Sequence, residues 1–423
     1  MGEGLARSLY SLLLRLATPV YLARLWWRGR REPAYRSHWG ERLGGVRGAQ
    51  PPGRIWLHAV SLGETRAAAA LIQALRRRRP GLSLLLTHGT ATGREAGAAL
   101  LMPGDAQAWL PYDTPGAVRR FLQHHRPALG VVMETEVWPN LLQAARQADV
   151  PLVLANARLS ERSRAKGERL AALMHPALAR FDAVFAQTES DAQRLRDSGS
   201  AVVQVMGNLK FDLSPSPEQL HRGQAWRRDL GRAVVLAAIT REGEEALLLR
   251  EWVALPTPRP LLLVVPRHPQ RFDEVADLIA AQGLFALRRS SWGEVPPPEA
   301  AAADVWLGDS LGEMPLYYGC ADVALLGGSF APLGGHNLIE AAACGCPLLM
   351  GPHTFNFAEA AELALACGAA QRVADMPQGV CLAVDLAWDG SRPEWAARAL
   401  AFAAAHRGAA DRMANAVLRL LPD

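Results

Sequence analysis

The sequence predicts an α/β protein of two Rossmann-like doubly wound domains facing across a cleft, with an amphipathic helix in front of them. Three observations carry this. Short apolar runs alternate with Ala/Leu/Arg segments of helical spacing through most of the 423 residues, the pattern of parallel strands covered on both faces. The alternation breaks at a Pro- and charge-rich stretch, SPSPEQLHRGQ (214–224), and then restarts. The first residues, by contrast, have the periodicity of a helix that seeks a surface.

In residues 5–27, LARSLYSLLLRLATPVYLARLWW, an apolar run is interrupted by Arg7, Arg15 and Arg24. At 100° per residue, Arg7, Ser8, Ser11, Arg15 and Thr18 share one narrow sector. Leu5, Leu9, Leu12, Leu13, Leu16 and Val20 fill the opposite face. Trp26 and Trp27, followed by Arg28, Arg30 and Arg31, add the aromatics and cations suited to an anionic interface. An anchor lying on the membrane over residues 1–36 is expected. A membrane-spanning helix, burdened by Arg15 at its middle, and a plain docked core helix stay open as alternatives. No small-residue cleavage site follows, which disfavours secretion.

The first domain is expected over 37–213, with strands at 54–60, 82–89, 129–135, 151–157, 183–188 and 202–207. Helices are expected at 64–79, 92–101, 115–125, 139–148 and 160–179. Residues 214–232 read as an interdomain connection. The second domain, 233–392, repeats the pattern with strands at 234–240, 261–268, 285–291, 303–309, 323–329 and 346–351. A final helix within 393–423 has no strand after it and is expected to brace the domains. In such folds ligands bind at the carboxyl ends of the strands.

Composition excludes other classes. Lys+Arg 46 against Asp+Glu 41 gives a net charge of +5, too mild for nucleic acid without a concentrated basic stripe. Lys166 and Lys210 are the only lysines. The five cysteines show no CxxC spacing, so reduced and mostly buried thiols are expected rather than disulfides or zinc.

The candidate chemistry lies at strand ends. IWLHAVSLGETRAA places Ser61, Gly63 and Glu64 at a helix start, where Glu64 is either a general base or a carboxylate stabilising its own helix dipole. VVMETEVWPN carries Glu134 and Glu136. Glu134 is nearer the strand terminus and is the better candidate, with ordinary loop polarity as the alternative. GNLKFD brings Lys210, suited to a phosphate or an acidic sugar, although a lysine at a surface needs no function. VVPRHP sets Pro266 and Arg267 after a strand, and LGDSLGEM offers Leu311, Gly312 and Glu313 as a turn that approaches a ligand closely. In LLGGSFAPLGGHNLIEAAACGCPLLMGP two Gly pairs precede a helix opened by His336 and Asn337 and carrying Glu340. That fits a nucleotide site with phosphate on the helix N–H groups and a carboxylate on the ribose, or else two tight turns. No metal spacing is present among these motifs. The layout describes a glycosyltransferase of the GT-B architecture.

The motifs HAVSLGE, LPYD, METEVWPNLL, NARLSERS, QTESDAQRL, GNLKFD, REGEE, PRHPQRF, GDSLGEM, GGSF and GGHNLIEAAACGCPLLMGPHTFNF resemble, in order, those of the Kdo (3-deoxy-D-manno-octulosonic acid) transferases. RLWWRGRREPAYRSHWGERLG is similar to that family's membrane-proximal start, and the likeness runs from about residue 9 to 375. It implies an inverting transfer of Kdo from CMP-Kdo to the 6'-hydroxyl of a lipid A precursor (lipid IVA) in lipopolysaccharide core biosynthesis. The expected place is the cytoplasmic face of the inner membrane, with no metal or other cofactor. By the same resemblance Glu64 is the base, Glu134 and Lys210 stabilise the transition state, and Pro266-Arg267, Leu311-Gly312-Glu313 and Asn337-Leu338-Ile339-Glu340 bind CMP. Two positions depart from the family pattern: Ile239 stands for Ser, and Leu338 for Pro. The alternatives are another nucleotide-sugar transferase or epimerase of this fold using UDP, and a catalytically silent nucleotide-binding protein at the membrane.

Overall fold

The computed structural model describes residues 2–30, 32–45, 50–212, 214–390 and 392–421. They form two compact units, Met1–Asp212 with Arg407–Asp423, and Leu213–His406.

The first unit is built on strands β1 (Ile55–His58), β2 (Leu84–His88), β3 (Ala106–Trp109), β4 (Leu129–Met133), β5 (Leu152–Ala157), β6 (Ala183–Ala186) and β7 (Val203–Val205). They lie in the order β3-β2-β1-β4-β5-β6-β7, and every pair is parallel. The pleat explains why the runs are apolar throughout: Ile55 and Leu57 enter the core on one face of the sheet and Trp56 that on the other.

The second unit has β8 (Val234–Thr240), β9 (Leu261–Pro266), β10 (Ala286–Arg288), β11 (Val305–Leu307), β12 (Val323–Leu326), β13 (Leu348–Met350) and β14 (Ala370–Arg372), in the order β10-β11-β9-β8-β12-β13-β14. Two strands were not expected, β3 and β14. Both are edge strands whose residues are partly open to solvent, so they lack the continuous apolar run that marks a central strand.

Three further elements differ from expectation. The stretch read as a connection folds from Pro217 to Leu230 as a helix. It lies so close to the Met314–Cys320 helix that a Cβ on Gly223 would fall 2.0 Å from the Leu316 carbonyl oxygen. The segment 160–179 is two helices, Glu161–Glu168 and Ala171–Leu178. The final helix is likewise two, Arg392–Ala405 and Ala409–Arg419, separated at Gly408, whose φ is +92°. The second of them lies against the Leu62–Arg78 helix, with Met413 and Val417 in the core of the first unit.

The first helix, Glu3–Arg28, packs through part of its polar sector. Tyr10 donates to Asp113 at 3.0 Å and Ser11 to Asn140 at 3.1 Å, while Arg7 reaches Gln143. Leu5, Leu9, Leu12, Leu13, Leu16 and Val20 are left exposed on the far side. No helix among the described residues is long and apolar enough to cross a membrane.

Candidate active site

In the first sheet chain order reverses between β1 and β4, the kind of point at which open α/β sheets place ligands. Glu64 follows β1. Ser61 caps the Leu62–Arg78 helix by accepting the Glu64 N–H at 3.4 Å, and its hydroxyl donates to Glu64 Oε1 at 2.9 Å. The Val60 N–H donates to Oε2 at 2.8 Å. This reciprocal cap fixes the carboxylate in one orientation and leaves it half-buried. Burial raises its pKa above the ordinary glutamate value, opposed by the Val60 and Ser61 donors and assisted by the charge of Glu134.

Glu134 is the first residue past β4 and has a φ of +59°, a left-handed turn that ends the strand at Met133. Strand alternation therefore does not run on to Glu136. Glu136, the lesser candidate from the sequence, is half-buried, and its pKa is pushed up to about 7 by burial and then by the charge of Glu64. The ETE motif held the signal, but the sequence gives no view of how near Glu136 stands to Glu64. Lys210 lies on the 3-10 turn Leu209–Asp212, and its Nζ is 3.7 Å from Glu134 Oε1. A cavity of 220 Å³ opens beside Glu134, with Arg158, Arg164 and His175 among its polar walls and Leu154 and Met174 among its apolar ones.

In the second unit Pro266 closes β9, and Arg267, exposed, donates its N–H to the Thr240 carbonyl at 2.9 Å. Leu311 is 73% exposed and Gly312 has a φ of +78°. The Glu313 carboxylate is already committed: it pairs with Arg222 at 3.2 Å and Arg289 at 2.9 Å and accepts from Ser310. The turn therefore carries no free carboxylate, and its Gly312 carbonyl accepts Gln219 Nε2 at 3.0 Å.

The helix after the second Gly pair is short, Leu338–Ala343, and Asn337 caps it by accepting the Ile339 N–H at 3.2 Å. One of the N–H groups expected to be bare is therefore taken, and the Leu338 and Ile339 side chains are buried. Glu340 stands in the first turn, as expected. The first Gly pair is also occupied. Glu244, buried, accepts the N–H groups of Arg241, Gly328, Phe330 and Ala331 at 2.9, 2.7, 3.1 and 3.3 Å. Its neighbour Glu245 accepts from Thr240 at 2.7 Å and pairs with Arg271 at 2.7 Å. Burial, seconded by Arg267, Arg241 and His268 nearby, drives the pKa of His336 down to about 4. Ile239, where Ser was expected, has a φ of +59° at the point where the β8–β9 register shifts.

Residues 37–213 match the family model described as 3-deoxy-D-manno-octulosonic-acid transferase (kdotransferase). A 3-deoxy-D-manno-octulosonic acid transferase of Bordetella pertussis is 47% identical to the chain, over 98% of it and 99% of the relative. The chain belongs to the Kdo transferase family. Another Kdo transferase, from Haemophilus influenzae, is 37% identical over 84% of each chain. A glycosyltransferase structure from Rickettsia africae aligns with a TM-score of 0.58 at 12% identity, over 88% of this chain and 99% of that one. Anabaena Alr3699/HepE in complex with UDP aligns at 0.57 with 15% identity, over 86% and 99%. These two share the fold of this Kdo transferase family member, whose own two sheets are parallel with seven strands each.

Proposed function

We propose that the chain is an inverting Kdo transferase of lipopolysaccharide core biosynthesis, moving Kdo from CMP-Kdo to a lipid A precursor (lipid IVA). The observation that carries this is Glu64, a carboxylate held rigidly by Val60 and Ser61 at the switch point, still half-open, with its proton affinity raised. In the proposed step Glu64 takes the proton of the acceptor 6'-hydroxyl. The hydroxyl oxygen bonds to the anomeric carbon of Kdo from the face opposite CMP. The bond from that carbon to the phosphate oxygen breaks, and its electron pair leaves with CMP. Glu134 meets the positive charge developing on the sugar ring and Lys210 the sugar carboxylate. Arg267 and the main chain around Gly312 hold the nucleotide phosphate and its neighbours, and the step is written without a metal or other cofactor.

The cavity beside Glu134 supports an acceptor role for the first unit, since its arginines suit a phosphorylated sugar. The Glu3–Arg28 helix supports a place at the cytoplasmic face of the inner membrane: its polar side is tied to the protein and its leucines face outward beside Trp26 and Trp27. The test is CMP release from freshly generated CMP-Kdo, with and without a tetraacyl lipid A precursor, and mass spectrometry of the lipid. Release that depends on the acceptor and adds Kdo mass is expected. Absence of release while CMP still binds would overturn the reading.

A further inference from the structure

We infer that Asn156 is a positioning residue that sets where the Lys210 ammonium stands relative to Glu134. The pairing of β5 with β6 shifts register between Leu154 and Ala157, which frees Asn156 from the ladder. Asn156 takes a φ of +53°, a conformation that asparagine tolerates better than most residues, and it is fully buried.

From there a chain of hydrogen bonds runs to Lys210. Asn156 Oδ1 accepts the Leu209 N–H at 3.0 Å. The Asn156 carbonyl accepts Gln187 Nε2 at 2.9 Å, and Gln187 Oε1 accepts Asn208 Nδ2 at 3.0 Å. Asn208 Oδ1 in turn accepts the Lys210 N–H at 3.0 Å. The preceding residue, Ala155, accepts the Glu134 N–H through its carbonyl at 2.9 Å. Glu134 and the turn that carries Lys210 therefore hang from two consecutive residues of β5, and the 3.7 Å separation between their charges follows from that shared support.

The bonds converge on a surface turn through side chains rather than through a regular ladder. Three consecutive residues of that turn, Asn208, Leu209 and Lys210, are each held, although only Leu209 contributes to the core. Packing alone would leave the backbone of residue 210 to water. The network fixes it instead, at the one lysine of this site.

The inference rests on the proposed transferase reading for its kinetic arm, and its second arm needs no turnover. Asn156→Gly keeps the left-handed backbone without strain and the carbonyl that holds Gln187, and it removes the buried side-chain amide, including the oxygen that accepts the Leu209 N–H. With CMP-Kdo and the tetraacyl precursor, kcat is expected to fall about 10²-fold, the size of effect that a displacement near 1 Å produces. KM for CMP-Kdo should rise far less than kcat falls, because the proposed nucleotide contacts at Arg267 and Gly312 are untouched and only the Lys210 contact to the donor's Kdo carboxylate shifts.

Because Lys166 and Lys210 are the only lysines, reductive methylation with 13C-formaldehyde gives two lysine resonances. That of Lys210, assigned with Lys166→Arg, should move in Asn156→Gly while that of Lys166 stays. Asn208→Ala, at a half-exposed position, carries both expectations at smaller size should Asn156→Gly fail to fold. A kcat within about threefold of wild type, or an unmoved Lys210 resonance, would overturn the inference. If wild type shows no Kdo transfer but the resonance moves, the positioning stands and the transferase reading falls.

Discussion

Each sheet is followed, past its first strand, by a helix with glutamate in its opening turn, and the two glutamates end in opposite conditions. Glu64, after β1, touches two donors and remains half-open. Glu244, after β8, is buried and accepts four backbone N–H groups, three of them from the loop that carries Gly328. A carboxylate with free lone pairs facing water can accept a proton from a substrate. One saturated by main-chain donors acts as a brace, holding a loop whose N–H groups would otherwise bind an anion. Position in the fold nominates a residue for chemistry, and the hydrogen bonds it already makes decide whether it can perform it.

Substitution separates the two most sharply. Glu64→Gln keeps the reciprocal cap, since glutamine serves at that position, so unfolding should change by less than about 1 kcal/mol. CMP release should nevertheless fall about 10²–10⁴-fold. Glu244→Gln should do the reverse in kind: its amide nitrogen faces N–H donors, and chemical denaturation should show a loss of about 3 kcal/mol. A Glu64→Gln enzyme of wild-type turnover, or a Glu244→Gln protein of wild-type stability, would erase the distinction.

The same contrast extends to charge on an apolar face. Leu12→Glu with Leu16→Glu alters only exposed positions of the first helix, so stability should hold. Sedimentation with anionic phospholipid vesicles should drop at least about tenfold.

The smallest effect concerns pH. Glu136 is protonated below its pKa of about 7, so it ionises as pH rises through neutrality. The added negative charge beside Glu64 repels an anionic donor. For wild type, kcat/KM for CMP-Kdo should therefore decline above pH 7, and Glu136→Gln should flatten that decline. The acid limb should remain in both, because it reports Glu64, the proposed base, which would have to lose its proton to act and whose pKa burial has raised. An unchanged alkaline limb in Glu136→Gln would remove Glu136 from the site's electrostatics.

Much of this molecule is determined by local sequence. The central strands, the break near residue 214 and the nomination of Glu64, Glu134 and Lys210 all come from short apolar runs and from the residues that end them. A run such as LLLVV has one stable fate in a covered sheet, whatever lies elsewhere. The edge strands β3 and β14 escaped because AQAW and AQR hold no run of large aliphatics, unlike the equally open edge strand β7, which its valines mark.

What only tertiary structure decided is the state of the charged groups. Glu313 has a sequence context as suggestive as that of Glu64, yet Arg222 and Arg289 neutralise it from 91 and 24 residues away. Asn156 is an ordinary residue of an apolar run until a register shift turns it towards Leu209. The first helix has an amphipathic pattern that does not say which side meets the protein, and Asp113 and Asn140 settle it by taking the polar one. Periodicity is a property of neighbours in the chain. Desolvation and ion pairing depend on groups brought together by folding, and these fix which carboxylate is a brace and which remains free to take a proton.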